Sequence, residues 1–119
     1  MPITPEMLRD LSIAALDEHK AIDIQSIDVR QQTDITDYLI VASGNSDRQL
    51  RALADAVIDK ARAQGVRPLG KEGASGSDWM LVDLGDVVVH LMRPETRDFY
   101  QIERLWGELP KVRSQGNEG

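Results

Sequence analysis

Two pairs of closely spaced aspartates are the residues in this sequence best suited to metal-dependent or acid–base chemistry. Asp34 and Asp37 form one pair, and Asp83 and Asp86 form the other. A metal-dependent transfer site needs carboxylates that converge on one point, as alternate residues of a strand do. Asp83 and Asp86 instead bracket a predicted turn, where aspartate side chains commonly bond the backbone. The spacing favours a structural role, so we predict no catalytic residue and no metal site.

The segment Gly44-Asn45-Ser46 is a second candidate site, because it lies between a predicted strand and a predicted helix. Backbone N–H groups at the start of a helix can bind an anion such as phosphate. Asn45 or Ser46 can equally cap the helix without any ligand. We expect capping and keep phosphate binding as the alternative.

Other nucleophiles and ligands are scarce in the chain. Cysteine is absent, which excludes thiolate metal sites and a cysteine nucleophile. The Gly-x-Ser-x-Gly pattern of serine hydrolases does not occur. His90 lies in the middle of a predicted strand, where a hydrogen-bonded structural histidine is expected. We therefore predict neither a serine hydrolase nor a cysteine-based site, and no cofactor.

A β-hairpin over residues 78–92 is the segment around which the rest of the chain is organised. Two runs rich in apolar residues flank the turn Asp83-Leu84-Gly85-Asp86, where Gly85 can take the positive φ of a tight reversal. The second run is apolar on both faces, which places it in the middle of a sheet. One face carries Val87, Val89 and Leu91, and the other carries Val88, His90 and Met92.

Trp79 and Leu84 are unusual residues for their places in this hairpin. Leu84 occupies the tip, where a solvated turn normally takes Asn, Asp or Gly, and Trp79 opens the first strand. Either side chain can face outward as an apolar anchor for a protein partner, or fold back onto the domain. The sequence leaves both placements open.

The remaining elements complete one α/β domain over residues 1–109, a mixed β-sheet flanked by helices in the order α-β-β-α-β-β-β-α. The predicted elements before the hairpin are a helix from Pro5 to about Lys20, a strand 22–29 with a bulge at Gln25-Ser26, a strand 38–42, a helix with Asn45 or Ser46 as its N-cap and Gly65 as its C-cap, an edge strand 66–69 and a flexible loop 70–77. After it come a helix from Pro94 with the apolar stripe Phe99, Ile102, Leu105 and Trp106, and a disordered tail 110–119.

The net charge indicates which kinds of partner the chain can bind. The chain has 20 acidic and 14 basic residues, a net charge of −6. This charge disfavours direct nucleic-acid binding and favours a basic protein surface. No run is long and apolar enough to span a membrane, so we expect a cytoplasmic protein. The first helix has a wide apolar arc, which is typical either of a homodimer or of a helix packed between the sheet and another helix.

An ordered set of residues from about Pro5 to Gly107 resembles the ribosomal silencing factor family, RsfS, also called Iojap. No single motif in the set is diagnostic, but the whole set at these spacings is specific. The matching residues are Asp37-Tyr38-Leu39-Ile40-Val41-Ala42-Ser43-Gly44-Asn45-Ser46, Glu72-Gly73, Asp78-Trp79, Asp83-Leu84-Gly85-Asp86-Val87-Val88-Val89-His90, Arg97, Tyr100, Glu103 and Leu105-Trp106.

The resemblance implies a non-catalytic translation factor with a fold similar to a nucleotidyltransferase core. Such a factor binds the large ribosomal subunit through its ribosomal protein number fourteen, blocks joining of the small subunit, and represses translation when nutrients run short. Some members of the family are dimeric. The contact candidates implied in this chain are Trp79, Met80, Leu81, Asp83, Leu84, Gly85, Asp86 and Tyr100.

Two other functions stay open at the level of sequence. One is a nucleotidyltransferase-like, nucleotide-binding enzyme, motivated by Gly44-Asn45-Ser46 and the aspartate pairs. The other is a dimeric scaffold, motivated by the apolar arc of the first helix.

Overall fold

A computed structural model describes residues 3–73 and 78–108, which form a five-stranded mixed sheet with helices on both faces. The elements are α1 (Pro5–Glu18), β1 (Ile22–Asp28), β2 (Tyr38–Ser43), α2 (Asp47–Ala63), β3 (Gly70–Glu72), β4 (Trp79–Asp83), β5 (Val87–Met92), α3 (Pro94–Tyr100) and α4 (Ile102–Glu108). The predicted fold class is confirmed. The predicted tail 110–119 lies outside the described residues.

Local capping signals define the two long helices. The Thr4 side chain accepts a hydrogen bond from the Met7 backbone N–H, and Pro5 occupies the first turn of α1. The Ser46 side chain accepts from the Gln49 N–H at the start of α2. Gly65 follows α2 with a φ of 82°, the left-handed conformation that glycine adopts readily. These caps confirm the predicted starts of both helices.

The strands are ordered β1-β2-β5-β4-β3 across the sheet. β2 and β5 pair in parallel at its centre, and the other neighbours are antiparallel. The central position explains why β2 is apolar on both faces, since all six of its residues are buried. The predicted bulge in β1 exists, but the register shifts between Ile22 and Gln25, where Asp23 has a φ of 51°.

The main core lies between the sheet and the pair α1 and α2. Buried apolar residues of α2 face the sheet, and buried residues of α1 pack beside them. Buried members of this core are Leu8, Leu16, Tyr38, Ile40, Leu50, Leu53, Val57, Met80, Val82, Leu84, Val87, Val89 and Leu91.

The edge strand begins later than the sequence predicts. The Val66 N–H still bonds to the Ala61 carbonyl at the end of α2, and Pro68 has no N–H to give to a ladder. The first bond to β4 runs from the Leu69 N–H to the Asp83 carbonyl, at 2.7 Å. The prediction of a strand at 66–69 is therefore wrong, and β3 occupies the start of the predicted loop. Residues 74–77 of that loop lie outside the described residues.

The predicted last helix is two short helices. Gln101 has a φ of 50° and a ψ of 49°, a left-handed conformation that ends α3 before α4 begins. The break separates the predicted apolar stripe into two parts with different surroundings. Ile102 is buried, whereas Phe99 is 79% and Leu105 is 56% exposed. The prediction of one continuous stripe is wrong for this reason.

The cap at Ser46 provides a test of this local account. Replacing Ser46 by alanine should lower the free energy of unfolding by about 1 kcal/mol, because the Gln49 N–H loses its acceptor. Ser46→Asp keeps an acceptor at the same place and should retain most of the stability. Urea denaturation followed by circular dichroism measures both. Equal losses in the two variants would contradict the capping role.

Candidate partner-binding surface

One face of the β4–β5 half of the sheet lacks the cover that α1 and α2 give to the other face. The antiparallel register sets Leu81 opposite His90 and Asp83 opposite Val88 on this face. Leu81, Val88 and His90 are all partly exposed. The β1–β2 half of the same face is covered, because Ile102 of α4 packs there in a second small core. We call the residues Trp79, Leu81, Val88, His90 and Tyr100 the open face.

Aromatic rings line the end of the open face next to α3. The ring centroids of Trp79 and Tyr100 are 4.8 Å apart with an angle of 51° between the ring planes. Phe99 meets Tyr100 edge to face, with centroids 4.9 Å apart. Tyr100 is 52% exposed, so the cluster offers aromatic surface to solvent. Clustered aromatic side chains are typical of the energetic centres of protein interfaces.

A hydrogen bond to His90 fixes the position of the Trp79 ring. The indole Nε1–H donates a hydrogen bond to Nδ1 of His90 at a distance of 3.0 Å. This bond requires an unprotonated Nδ1, which places the proton of the neutral ring on Nε2. Burial lowers the pKa of His90 to about 4, so the ring is a neutral acceptor near neutral pH. The predicted hydrogen-bonded structural histidine is confirmed.

The hairpin tip is held by its own backbone and by Asp83. Oδ1 of Asp83 accepts from the Gly85 N–H at 2.9 Å, and the Leu84 N–H donates to the Val87 carbonyl at 2.9 Å. Gly85 has a φ of 90°, as the predicted turn requires. Leu84 is only 5% exposed and belongs to the same core as Leu8. Of the two placements that the sequence left open, the inward one is observed for Leu84.

The predicted contact residues thus fall into two groups. Met80 and Leu84 are buried in the main core. The others are at least partly exposed, with Trp79, Leu81 and Asp83 on β4, Gly85 and Asp86 at the tip, and Tyr100 at the end of α3.

Three residues of this region, Val88, His90 and Phe99, were not among the predicted contact residues. The alternation along β5 already placed Val88 and His90 on one face, but the sequence carries no signal that this face lacks a cover. No comparable signal exists for Phe99, whose exposure depends on the break at Gln101.

Two backbone donors of the alternative anion site at Gly44-Asn45-Ser46 are occupied by the chain itself. The Gly44 N–H bonds to the Met92 carbonyl at 3.2 Å, and the Asn45 N–H bonds to Oε1 of Gln49 at 2.7 Å. The Gln49 N–H is taken by Ser46, as described above. Within residues 3–73 and 78–108, no three acidic or histidine side chains group together as a metal site. In the same residues, no helix is long and apolar enough to cross a membrane.

Comparison with known proteins decides the family. A family model described as "Ribosomal silencing factor during starvation" matches residues 3–118. The chain belongs to the ribosomal silencing factor family. A relative from Chromobacterium violaceum, named ribosomal silencing factor RsfS, is 47% identical over 97 residues, 82% of this chain and 80% of that protein. The resemblance found in the sequence is therefore confirmed.

Two further proteins are similar to this chain. A crystal structure of a Chromobacterium violaceum protein is 42% identical, covers 93% of each chain and superposes with a TM-score of 0.86. A mouse protein named "Mitochondrial assembly of ribosomal large subunit protein 1" is 38% identical over 100 residues, which are 82% of this chain and 44% of that protein.

Burial of His90 makes the stability of this silencing-factor domain depend on pH. Its folded pKa of about 4 lies below the ordinary value of 6.5, so as pH falls the unfolded chain binds the proton first. The contribution is complete above about pH 6.5 and is lost towards pH 4, up to about 3 kcal/mol. His90→Gln keeps an acceptor for Trp79 but does not titrate in this window. Urea titrations from pH 7 to pH 4 should give a smaller loss for the variant, and parallel curves would contradict the assignment.

Burial of Leu84 predicts a loss of stability when its side chain is truncated. Leu84→Ala should lower the free energy of unfolding by about 2–3 kcal/mol, because it leaves a cavity in the main core. Leu69→Ala is the matched control, since Leu69 lies beside the same turn but is 73% exposed. The control should change stability by less than about 0.5 kcal/mol. Equal urea midpoints for Leu84→Ala and the parent would place Leu84 outside the core.

Proposed function

We propose that this chain binds the large ribosomal subunit through its ribosomal protein number fourteen and thereby blocks joining of the small subunit. Translation is repressed by this block when nutrients are limiting. The open face is the observation that carries the proposal, because an aromatic and apolar surface remains exposed on a rigid sheet. Such a surface is typical of protein docking sites.

Family membership supports the ribosome as the partner. The matching family is named for ribosomal silencing, and the mouse relative is named for assembly of the large ribosomal subunit. These names concern the ribosome and its large subunit, and neither names an enzymatic reaction. A non-enzymatic regulator that acts on the large subunit agrees with both names, and we propose the cytoplasm as its location.

The charge of the chain fits a basic ribosomal protein. The net charge is −6, and Asp83 and Asp86 border the open face at the hairpin tip. Opposite charges around an apolar contact speed the encounter of two proteins, while the buried contact determines how long they remain bound. A basic surface with an apolar centre would therefore complement the open face and its acidic border.

Within this proposal the contact candidates have different roles. Trp79, Leu81 and Tyr100 provide the apolar contact, while Asp83, Gly85 and Asp86 form the border at the tip. Met80 and Leu84 support β4 and the turn from the core side, because their side chains are buried. Direct contact of these two residues with a partner stays a prediction.

The mechanism that we propose is steric. A domain bound to the surface where the small subunit docks excludes that subunit by its volume, so no catalytic group or cofactor is required. A homodimer, the second partner that the resemblance implies, would inhibit the chain if it used the same open face. Light scattering of the free protein would measure that competing state.

Substitutions on the open face test the proposal. Leu81→Glu should abolish co-sedimentation with isolated large subunits, because it puts a charge into the apolar contact. Trp79→Ala should weaken binding by about 2 kcal/mol or more, as expected for a central aromatic residue. Neither change should create binding to small subunits.

Met7→Glu is the matched control for these variants. Met7 is 53% exposed on α1, which packs against the opposite face of the sheet, so an acidic residue there should leave binding unchanged. Circular dichroism confirms that each variant is folded. If folded Leu81→Glu sediments with large subunits as the parent does, the open face is not the contact. If the parent binds neither subunit, the proposed function is wrong.

A further inference from the structure

Arg97 on α3 is a charged residue that is buried and does not belong to the open face. It is only 7% exposed. Its Nε donates to Oε2 of Glu103 at 2.7 Å, and its Nη1 donates to Oγ of Ser43 at 3.0 Å. Nη2 lies 3.6 Å from Oδ2 of Asp23. Removing a guanidinium from water is costly, and these contacts offset part of that cost, although Nη2 makes no hydrogen bond.

The partners of Arg97 come from elements that are far apart in the sequence. Ser43 ends β2, Asp23 lies in β1, and Glu103 lies in α4. Nη1 of Arg97 also approaches the Ile22 carbonyl at 3.4 Å. One side chain thus joins α3 to α4 and both helices to the ends of two strands.

Backbone hydrogen bonds connect the end of α3, the break at Gln101 and α4. The Gln101 N–H bonds to the Arg97 carbonyl at 2.8 Å, and the Leu105 N–H bonds to the Gln101 carbonyl at 3.0 Å. The left-handed conformation of Gln101 costs about 1 kcal/mol for a residue other than glycine, so the surroundings must hold it. The Arg97 side chain contributes to this by bonding Glu103 on the far side of Gln101.

The position of Tyr100 depends on where α3 ends and on the break that follows it. Tyr100 directly precedes Gln101 and stacks on Trp79, but it is 52% exposed and so gains little from burial. α3 has only seven residues, too few to be stable without tertiary contacts. The position of Tyr100 on the open face therefore depends on the fixed break more than on its own packing.

We propose that Arg97 is a positioning residue for the open face. Its ion pair with Glu103 and its hydrogen bond with Ser43 fix the α3–α4 break and thereby hold Tyr100 against Trp79. This inference rests on the proposed function, since it assigns Arg97 to the binding of the large subunit without contact with it. The buried ion pair contributes a unique geometry rather than affinity of its own.

Tryptophan fluorescence tests the structural half of the inference without any ribosome. The chain has two tryptophans, so a Trp106→Phe background leaves Trp79 as the single reporter. In that background, Arg97→Gln should raise acrylamide quenching of Trp79 to the level seen with Tyr100→Ala. Arg62→Gln, which removes an exposed charge from α2 on the opposite face of the sheet, should leave quenching at the background value. Unchanged quenching in a folded Arg97→Gln variant would overturn the inference.

Binding to large subunits tests the functional half. Arg97→Gln should weaken binding by about tenfold. Adding it to Tyr100→Ala should cause little further loss of affinity, because both changes remove the contact that the Tyr100 ring makes from its fixed position. Fully additive losses would mean that Arg97 does not act through Tyr100, and would overturn the inference. Arg97→Lys, which keeps the charge, should restore part of the affinity.

Two further comparisons keep the outcomes separate. If Arg97→Gln does not fold, Glu103→Gln breaks the same ion pair from a less buried position and should give the same quenching and binding changes. If the parent chain does not bind large subunits, the proposed function fails, while the quenching result still supports or overturns the positioning role of Arg97.

Discussion

Unequal cover on the two faces of the sheet is the constraint on which the rest of the structure depends. Five strands spaced about 4.8 Å apart make a sheet about 19 Å across. α1 and α2, with 14 and 17 residues, are long enough to bury one face. α3 and α4 have seven residues each, about 10 Å of helix, and cannot cover the other face. The β4–β5 half of that face therefore stays open and carries the proposed function.

An exposed apolar surface must be kept in one geometry if it is to bind a partner specifically. Two polar interactions do this here. His90 accepts the indole N–H of Trp79 from within the sheet, and Arg97 fixes the helix break that places Tyr100. His90 and Arg97 are both largely buried, and both are bonded to other side chains. Each therefore resists a reorientation that would move the side chains of the open face. In this account, His90 within the open face and Arg97 behind it fix its geometry, and the aromatic rings provide its contact area.

The sequence predicted those elements whose signals are local. Capping at Thr4 and Ser46, the apolar run of β2 and the turn at Gly85 each depend on a few neighbouring residues, and all are confirmed. The misplaced elements depend on distant contacts. β3 starts where the Leu69 N–H reaches Asp83, and the last helix breaks beside Arg97, which bonds Ser43 of β2. Leu84 was ambiguous for the same reason, because its burial depends on the main core and not on the turn that contains it.

The most direct measurement is an electron cryo-microscopy structure of the chain bound to isolated large subunits. Our account predicts density with the open face against ribosomal protein number fourteen, with Trp79 and Tyr100 in the contact and with α1 and α2 turned away. It also predicts that the bound domain overlaps the volume that the small subunit occupies after joining. A complex in which α1 and α2 form the contact, or one that leaves the joining surface free, would contradict the central claim.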